Sequence, residues 1–426
     1  MVSDRSGGTT DFEPEPQNRK CYLFTLYTTK KWGIYMEISV VGVGAQGSAI
    51  CFLLAKEAEV SKIVCADIDL DRVKRVVQKL GSDKVSAQRV DASNVEDLVR
   101  VIKGTDVVIN ATLPRFNLNI MNAAIKSGAH YEDFASGSLP EEFELDGKFK
   151  GAGLTAVINN GGPFVMNALV RYAADKLDIV DEIHLKEGWK QVGKAEVIPT
   201  WSPTWCSELA LTEWTLSPPV YENGKIKRVP PFSGMEEYPF PEPVGSTTVC
   251  YIDYEPVYTL PRFIGKGVKL VDFKTVPDIM AGALVKMGFA SDRPVEVKGV
   301  NVAPIDVLFS LIPPPSERDI TKEVKAGEIN VFRCFLAEVK GEKVTYTFYW
   351  NVNLKEDIEK YDLPRQSEYS IPVALPGVVM AKMLAKGEIK TKGVSPIEGL
   401  EPKPFIAKLV KKGIIFHERV TREIHV

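Results

Sequence analysis

The residues able to do chemistry at recognisable spacing begin with three glycines. Gly42, Gly44 and Gly47 form a GxGxxG loop, with Ala45 and Gln46 inside it, between the apolar run EISVV and the helically spaced GSAICFLLAKEA. The first glycine of such a loop permits a tight turn, the second lets backbone approach a pyrophosphate, and the third lets helix and strand pack closely. The helix N-terminus then offers N–H groups and a positive dipole to the phosphates. Asp67, 20 residues beyond Gly47 in VCADID, is the acidic partner such a loop needs, a carboxylate able to accept from an adenosine ribose 2′-hydroxyl and repel a 2′-phosphate. That favours NAD, with NADP possible because Arg72 is close enough to pair with a phosphate. Asp67 could also serve as a strand-end carboxylate or a cap for the next helix. Asp91 is placed near the adenine or at a helix N-cap. The segment DVVINATLP delivers Asn110, Ala111, Thr112 and Pro114 to the same edge, where small residues suit the nicotinamide half. In SGAHYEDFASG, Asp133 ends a short strand at the mouth of the cleft, whereas His130 is expected to be structural.

These residues need a scaffold, and the alternation of apolar runs supplies it. KIVCADID, VSAQRVDAS, DVVINATLP and AHYED read as strands, separated by DLDRVKRVVQKLG, NVEDLVRVIKG and NLNIMNAAIKSG, which read as helices. Strands alternating with helices of this length imply βαβ units and a parallel sheet. After GLTAVINNGGP the texture changes to strand-like EIHLKEGW, TTVCYIDYEPVYTL, FRCFLAEVKG and KVTYTFYWNVN, with hairpin-length spacings such as EVKGEKVTY. The fold class expected is α/β: an N-terminal Rossmann-type parallel sheet, a second α+β substrate and dimerisation domain, and C-terminal helices packing back on the first. The expected boundaries are 1–35 for a dispensable or disordered extension, 36–158 for the dinucleotide-binding domain, 159–370 for the substrate domain and 371–426 for the returning segment. Residues 1–35 have the wrong order of basic and apolar residues for a secretory signal. The complete strand that starts at Met36 makes an internal start an alternative.

Composition narrows the function. The chain of 426 residues carries a net charge of −3 with both signs interspersed, which offers no basic footprint for nucleic acid or an anionic membrane. Six scattered cysteines without a CxxC pair, and four histidines outside any ligand spacing, argue for a reducing, cytoplasmic setting and against a metal site.

Several longer stretches are more specific. VVGVGAQGSA, NATLP, GAHYEDFA, FPEPVG, EPVYTLPRFI, VAPIDVL, AKMLAKGEI with KGVSPIEGL, and PFIAKLVKKGI together resemble the saccharopine dehydrogenase family, and most of all its lysine 6-dehydrogenase-like branch. The resemblance implies an NAD(P)-dependent oxidoreductase, built as a homodimer, acting at the C–N bond of a lysine-related amino acid, in a family whose members also handle related carboxylated polyamines. Two places depart from the family pattern: Tyr254 precedes Glu255 where a histidine is usual, and the glycine turn reads Gly161-Gly162-Pro163-Phe164.

Oxidation next to nitrogen needs a base for the amine, and Asp133, Tyr131, Glu213 and Glu255 are the polar groups in the matched stretches. The expected catalytic set is Asp133, Tyr131 and Glu255, with Glu213 on the substrate. Arginine suits the substrate carboxylate, because its planar fork binds it bidentately. Arg262 is the first choice and Arg115 the second, although either could be an ordinary surface arginine. The tryptophans of TWSPTWCSELALTEW either wall the substrate cleft or fill core. Two other functions remain in view: an NAD-binding regulatory protein without turnover, and a synthase that uses bound NAD internally.

Overall fold

Short, almost wholly buried apolar strands set the architecture. The structure, a computed structural model, describes residues 35–194, 201–315, 320–364 and 366–423. The expected N-terminal extension, Tyr35 apart, lies outside the described residues. The first layer runs β1 (Met36–Val41), α1 (Ala45–Ala55), β2 (Val60–Asp67), α2 (Leu70–Leu80), β3 (Val85–Arg89), α3 (Val95–Ile102), β4 (Val107–Asn110), α4 (Asn117–Ser127), β5 (His130–Asp133), α5 (Leu139–Glu144), α6 (Asp146–Gly151) and β6 (Thr155–Ile158). Local chemistry punctuates it. Asp69 caps α2 by accepting from the Arg72 N–H, and Asn94 caps α3 by accepting from Glu96 and Asp97 N–H. Gly81 and Gly128 end α2 and α4 in the left-handed conformation that glycine adopts without steric cost. His130 is structural here, its Nδ1 accepting from the Thr155 N–H at 3.0 Å.

The second layer begins with α7 (Met166–Ala174) and β7 (Glu182–Gly193), then α8 (Ser207–Thr212), β8 (Pro219–Glu222), β9 (Lys225–Arg228), β10 (Glu236–Pro239) and β11 (Ser246–Tyr251). It continues through α9 (Pro256–Ile264), β12 (Leu270–Thr275), α10 (Ile279–Lys286), β13 (Val295–Val297), β14 (Val300–Val302), α11 (Pro304–Leu311) and α12 (Thr321–Lys325). The hairpin of β15 (Ile329–Lys340) and β16 (Val344–Asn353) and helix α13 (Leu354–Tyr361) complete it. The chain ends with α14 (Ser370–Ala385), β17 (Gly393–Pro396), α15 (Pro402–Lys411) and β18 (His417–Arg422).

Among the described residues the first sheet has the order β17-β6-β5-β4-β1-β2-β3, parallel throughout. Strand order reverses beside β1, which opens a crevice at the carboxyl ends of β1 and β4. The second sheet is mixed: β10-β11-β12-β7-β15-β16-β18, with only β12 and β7 parallel on that path. The expected α/β class therefore holds, with the C-terminal helices back on the first layer: α14 packs on α1, β4 and β5, and β17 extends the parallel sheet beside β6. The last strand leaves that course. β18 pairs with β16 of the second sheet, where it covers an edge that would otherwise be unpaired. Both layers share one apolar core, which runs from Ile38 through Val165 and Leu185 to Phe335 and Leu375.

Helix α14 touches β5 closely because Gly377 lacks a side chain. A Cβ there would lie 2.8 Å from the Phe134 ring. Alanine raises helix propensity by about 1 kcal/mol, but overpacking costs about 1–3 kcal/mol. Gly377→Ala is therefore expected to lower the midpoint of denaturant unfolding, and a raised midpoint would contradict this packing.

Candidate active site

Five strands of the parallel sheet end at one edge, and the site is built on their last residues. The glycine loop follows β1. Gly42 has φ +89°, and a Cβ on it would sit 2.6 Å from the Ala111 carbonyl oxygen. A Cβ on Gly47 would overlap the Gly42 carbonyl oxygen. Gly44 is different: its φ is −78°, and a Cβ there would meet nothing within 4 Å. Neither local conformation nor crowding asks for glycine at 44, but close approach of a ligand to the backbone does. The α1 N-terminus has no side-chain cap and no acidic residue in its first turn, so its N–H groups and dipole are open to a phosphate.

Asp67 ends β2. Its Oδ2 accepts from the Val43 N–H at 2.7 Å and its Oδ1 from the Asp69 N–H at 3.0 Å, while Arg72 Nη1 stands 3.7 Å from Oδ2. The carboxylate thus holds the glycine loop as well as facing a cavity of about 460 Å³. Gly44, Ala45, Gln46, Arg72, Asp91 and Thr112 line that cavity, with Trp205, Leu209 and Pro314 opposite. Asp91 does not cap α3; it accepts from the N–H and hydroxyl of Ser93 at 2.9 and 2.6 Å. The loop, the uncapped helix and Asp67 together suit a nicotinamide dinucleotide.

A second cavity, of about 310 Å³, continues from the first past Gln46, Ala111 and Thr112. Asn110, Pro114 and Asp133 line it from the parallel sheet, and Glu187, Glu213 and Glu255 line it from the other side. Asp133 is buried and fully engaged. Its Oδ1 accepts from the Asn159 N–H, and its Oδ2 from the Tyr131 hydroxyl at 2.8 Å and the Asn117 amide at 3.3 Å. Burial, then the Glu142 charge, pushes its carboxyl well above the usual range. Tyr131 is wholly buried beneath it, donates a hydrogen bond to Asp133 and accepts one from Asn110, and does not line the cavity. Glu255 accepts from the Ser136 N–H at 2.8 Å; burial pushes its carboxyl up to about 7, with the Glu142 and Asp253 charges adding to the rise. Burial, then the Glu187 and Asp278 charges, pushes Glu213 up to about 8, and the Tyr254 hydroxyl points at it from 3.4 Å.

A third cavity, of about 410 Å³, shares Trp205, Glu213, Tyr254 and Tyr369 with the second. Its lining includes four tryptophans and three acids, Trp189, Trp201, Trp205 and Trp214 with Glu213, Asp278 and Glu368, among apolar and neutral polar residues. The tryptophans of TWSPTWCSELALTEW therefore line a cleft as well as packing. Among the described residues Arg333 is the one arginine on its wall, and its fork is taken: Nη1 binds Glu187 at 2.5 Å, Nη2 binds Glu368 at 3.2 Å, and Tyr369 stacks 3.8 Å away.

The arginines expected to hold a carboxylate lie elsewhere. Arg262 packs over the rings of Phe143 and Phe263, and Arg115 pairs with Glu208 at 2.7 Å on the exposed rim; neither lines these cavities. Sequence reasoning did not find Glu187, Tyr369, Arg333 and Glu142. Only the charge in the middle of the apolar strand EIHLKEGW offered a signal, for Glu187. Among the described residues no group of three potential ligands could hold a metal ion, and no helix is long and apolar enough to cross a membrane.

Comparison with known proteins agrees with this architecture. Residues 38–177 match the saccharopine dehydrogenase NADP-binding domain and residues 164–414 the saccharopine dehydrogenase C-terminal domain. The chain belongs to the saccharopine dehydrogenase family of NAD(P)-binding oxidoreductases. It is 25% identical to the carboxyaminopropylagmatine dehydrogenase of Synechocystis sp., with 90% of this chain and 98% of that protein covered. It is also 25% identical to the carboxynorspermidine synthase of Vibrio cholerae, over 89% of this chain and 96% of that protein. In structure it resembles the saccharopine dehydrogenase (L-Glu forming) of Saccharomyces cerevisiae, with a TM-score of 0.65 at 17% identity over 91% of this chain and all of that one.

Asp67 and Arg72 make opposite demands on the cofactor's ribose. Asp67→Ala should weaken NAD binding by roughly 10–100-fold, the loss of one or two hydrogen bonds to a charged group, and NADP binding by less. Arg72→Ala should weaken NADP the more. Dissociation constants from titration of each cofactor check this, and equal losses of NAD and NADP in Asp67→Ala would remove the ribose role.

Proposed function

We propose that the protein is an NAD(P)-dependent oxidoreductase that makes or breaks the C–N bond of a carboxylated polyamine-type compound, by reduction of an imine to a secondary amine or the reverse. The observation that carries this reading is the third cavity. Tryptophan faces and carboxylates attract an amine cation by ring quadrupole and charge, and Glu368 Oε2 is buried with no hydrogen-bond partner among the described residues. The two relatives named for carboxylated polyamines support the same substrate class over the lysine-related amino acid put first from sequence.

The bound nicotinamide supplies the hydride donor or acceptor. The chain's own residues do the rest. Gly44 and the α1 N-terminus fix the phosphates, and Asn110, Thr112 and Pro114 border the place where the reacting carbon must lie. Glu255, protonated, gives its proton to the imine nitrogen and so makes the neighbouring carbon a better hydride acceptor. In the reverse direction it takes the proton back. Glu213, at the junction of the second and third cavities, faces the amine chain, and Trp205 lines that junction. Arg262 and Arg115 have no place in this scheme, because neither lines these cavities.

A proton donor works only while protonated. Glu255 holds its proton below about 7, so kcat/KM for reduction should fall as pH rises through that value, and kcat/KM for oxidation should rise through it. Glu255→Gln should lower kcat by about 10²–10⁴-fold and leave cofactor affinity unchanged. The direct test mixes reduced cofactor, a linear diamine and a carboxylated aldehyde, then follows reduced-nicotinamide absorbance and product mass. Coupled product with loss of reduced cofactor is expected. Tight cofactor binding with no turnover across a panel of amines and aldehydes would favour a regulatory protein, and product without net cofactor change would favour a synthase.

A further inference from the structure

Glu142 belongs to no motif, yet it is fully buried beside the site. Its Oε1 accepts from the Asn117 amide at 3.0 Å and the Gly137 N–H at 3.1 Å, and its Oε2 from the Ser136 hydroxyl at 2.6 Å. The Asn117 amide also binds the Ala135 carbonyl at 2.8 Å, so two side chains grip the turn 135–137 from one side. From the other side the turn is pressed on Pro114: a Cβ on Gly137 would lie 2.7 Å from the Pro114 carbonyl oxygen. The product of this grip is the Ser136 N–H, which reaches across to Glu255 Oε1. A carboxylate buried at such a cost, with each oxygen occupied, has a task beyond solubility.

The geometry points to Glu142 as a positioning residue: it clamps the Ser136–Gly137 turn so that the Ser136 N–H aims Glu255 into the second cavity. This rests on the role given to Glu255 above. The groups that face Glu255 are few. Asp133 and Glu142 stand on the parallel-sheet side and Glu213 across the cavity. Asp253, paired with Arg228, Tyr254 and Tyr258 lie on its own segment, and Glu398 touches α9 through Thr259. Arg262 on α9 is turned onto Phe143. Of the acids whose charge holds the Glu255 carboxyl up, Glu142 acts most strongly, so its removal has a definite sign.

The test uses full-length protein with carbon-13-labelled glutamate side chains, the Glu255 resonance being the one lost in Glu255→Gln. Glu142→Gln keeps the shape and removes the charge. Its Glu255 titration midpoint should fall below the wild-type value, and an unchanged midpoint in a protein with wild-type thermal stability would overturn the proposal. Glu142→Asp keeps the charge one methylene short of the turn. Its midpoint should stay near wild type while kcat falls by about 10–100-fold, as misplacement of about 1 Å can cost, with KM and cofactor affinity little changed. A midpoint lowered as far in Asp as in Gln would also overturn it, and this second variant decides should Glu142→Gln fail to fold. The titration needs no substrate. Absence of turnover by the wild-type enzyme therefore counts against the proposed function, while the titration still decides this inference.

Discussion

A carboxyl group removed from water must find hydrogen-bond donors, keep its proton, or be met by a cation. The seam between the two layers collects several such groups, among them Asp133, Glu142, Glu187, Glu213 and Glu255, and they are met in three ways. Asp133 and Glu142 are saturated by donors from Tyr131, Asn117, Ser136 and two backbone N–H groups. Glu187 is met by Arg333 and the Tyr369 hydroxyl. Glu213 and Glu255 keep protons, with carboxyl groups at about 8 and about 7. The first three hold loop ends and helices in register; the last two are free to exchange protons. Division of labour among like groups arises from their surroundings alone, as where paired carboxylates take acid and base roles.

This seam makes one site of two layers. The parallel sheet brings the glycine loop, Asp67 and the β4 and β5 ends to one edge, and the mixed sheet brings Glu187 and Arg333 opposite on β7 and β15, paired so that Glu187 lies beside Phe335 and Arg333 beside Trp189. Helix α14 is fastened to the parallel-sheet layer through Gly377 against Phe134 and through the contact of Lys382 with Glu57 and Glu59. Trp205 walls all three cavities, so a cofactor at one end and an amine at the other would meet along a single side chain.

The cofactor half was legible because its signals are local: glycines at fixed spacing, an aspartate at the next strand end, and an apolar period that changes from strand to helix. The substrate half was less so. HYED reads as two polar groups at a strand end, but the cavity reaches only the last residue, and Tyr131 two positions back on the same face is sealed under Asp133. Glu187 follows Lys186 in mid-strand, and alternation would send one of them to water. Both are buried, because β7 is central in its sheet and covered on both faces. Arg262 sits in a family-like stretch, yet on α9 its guanidinium falls against two phenylalanine rings. Arg333 lies in unremarkable sequence with its partner Glu187 146 residues away, and Glu142 binds near neighbours whose turn reaches Glu255, 119 residues from Ser136.

The central claim is that a cofactor cleft ends in a chamber built for a cation. Calorimetric titration of cofactor-saturated protein with butane diamine, and in parallel with the uncharged diol of equal length, tests charge apart from shape. The diamine should bind in the presence of cofactor, more weakly as salt rises and more weakly in Glu368→Gln, and the diol should not bind. Equal binding of diol and diamine, or a diamine affinity indifferent to salt and to Glu368, would contradict the account.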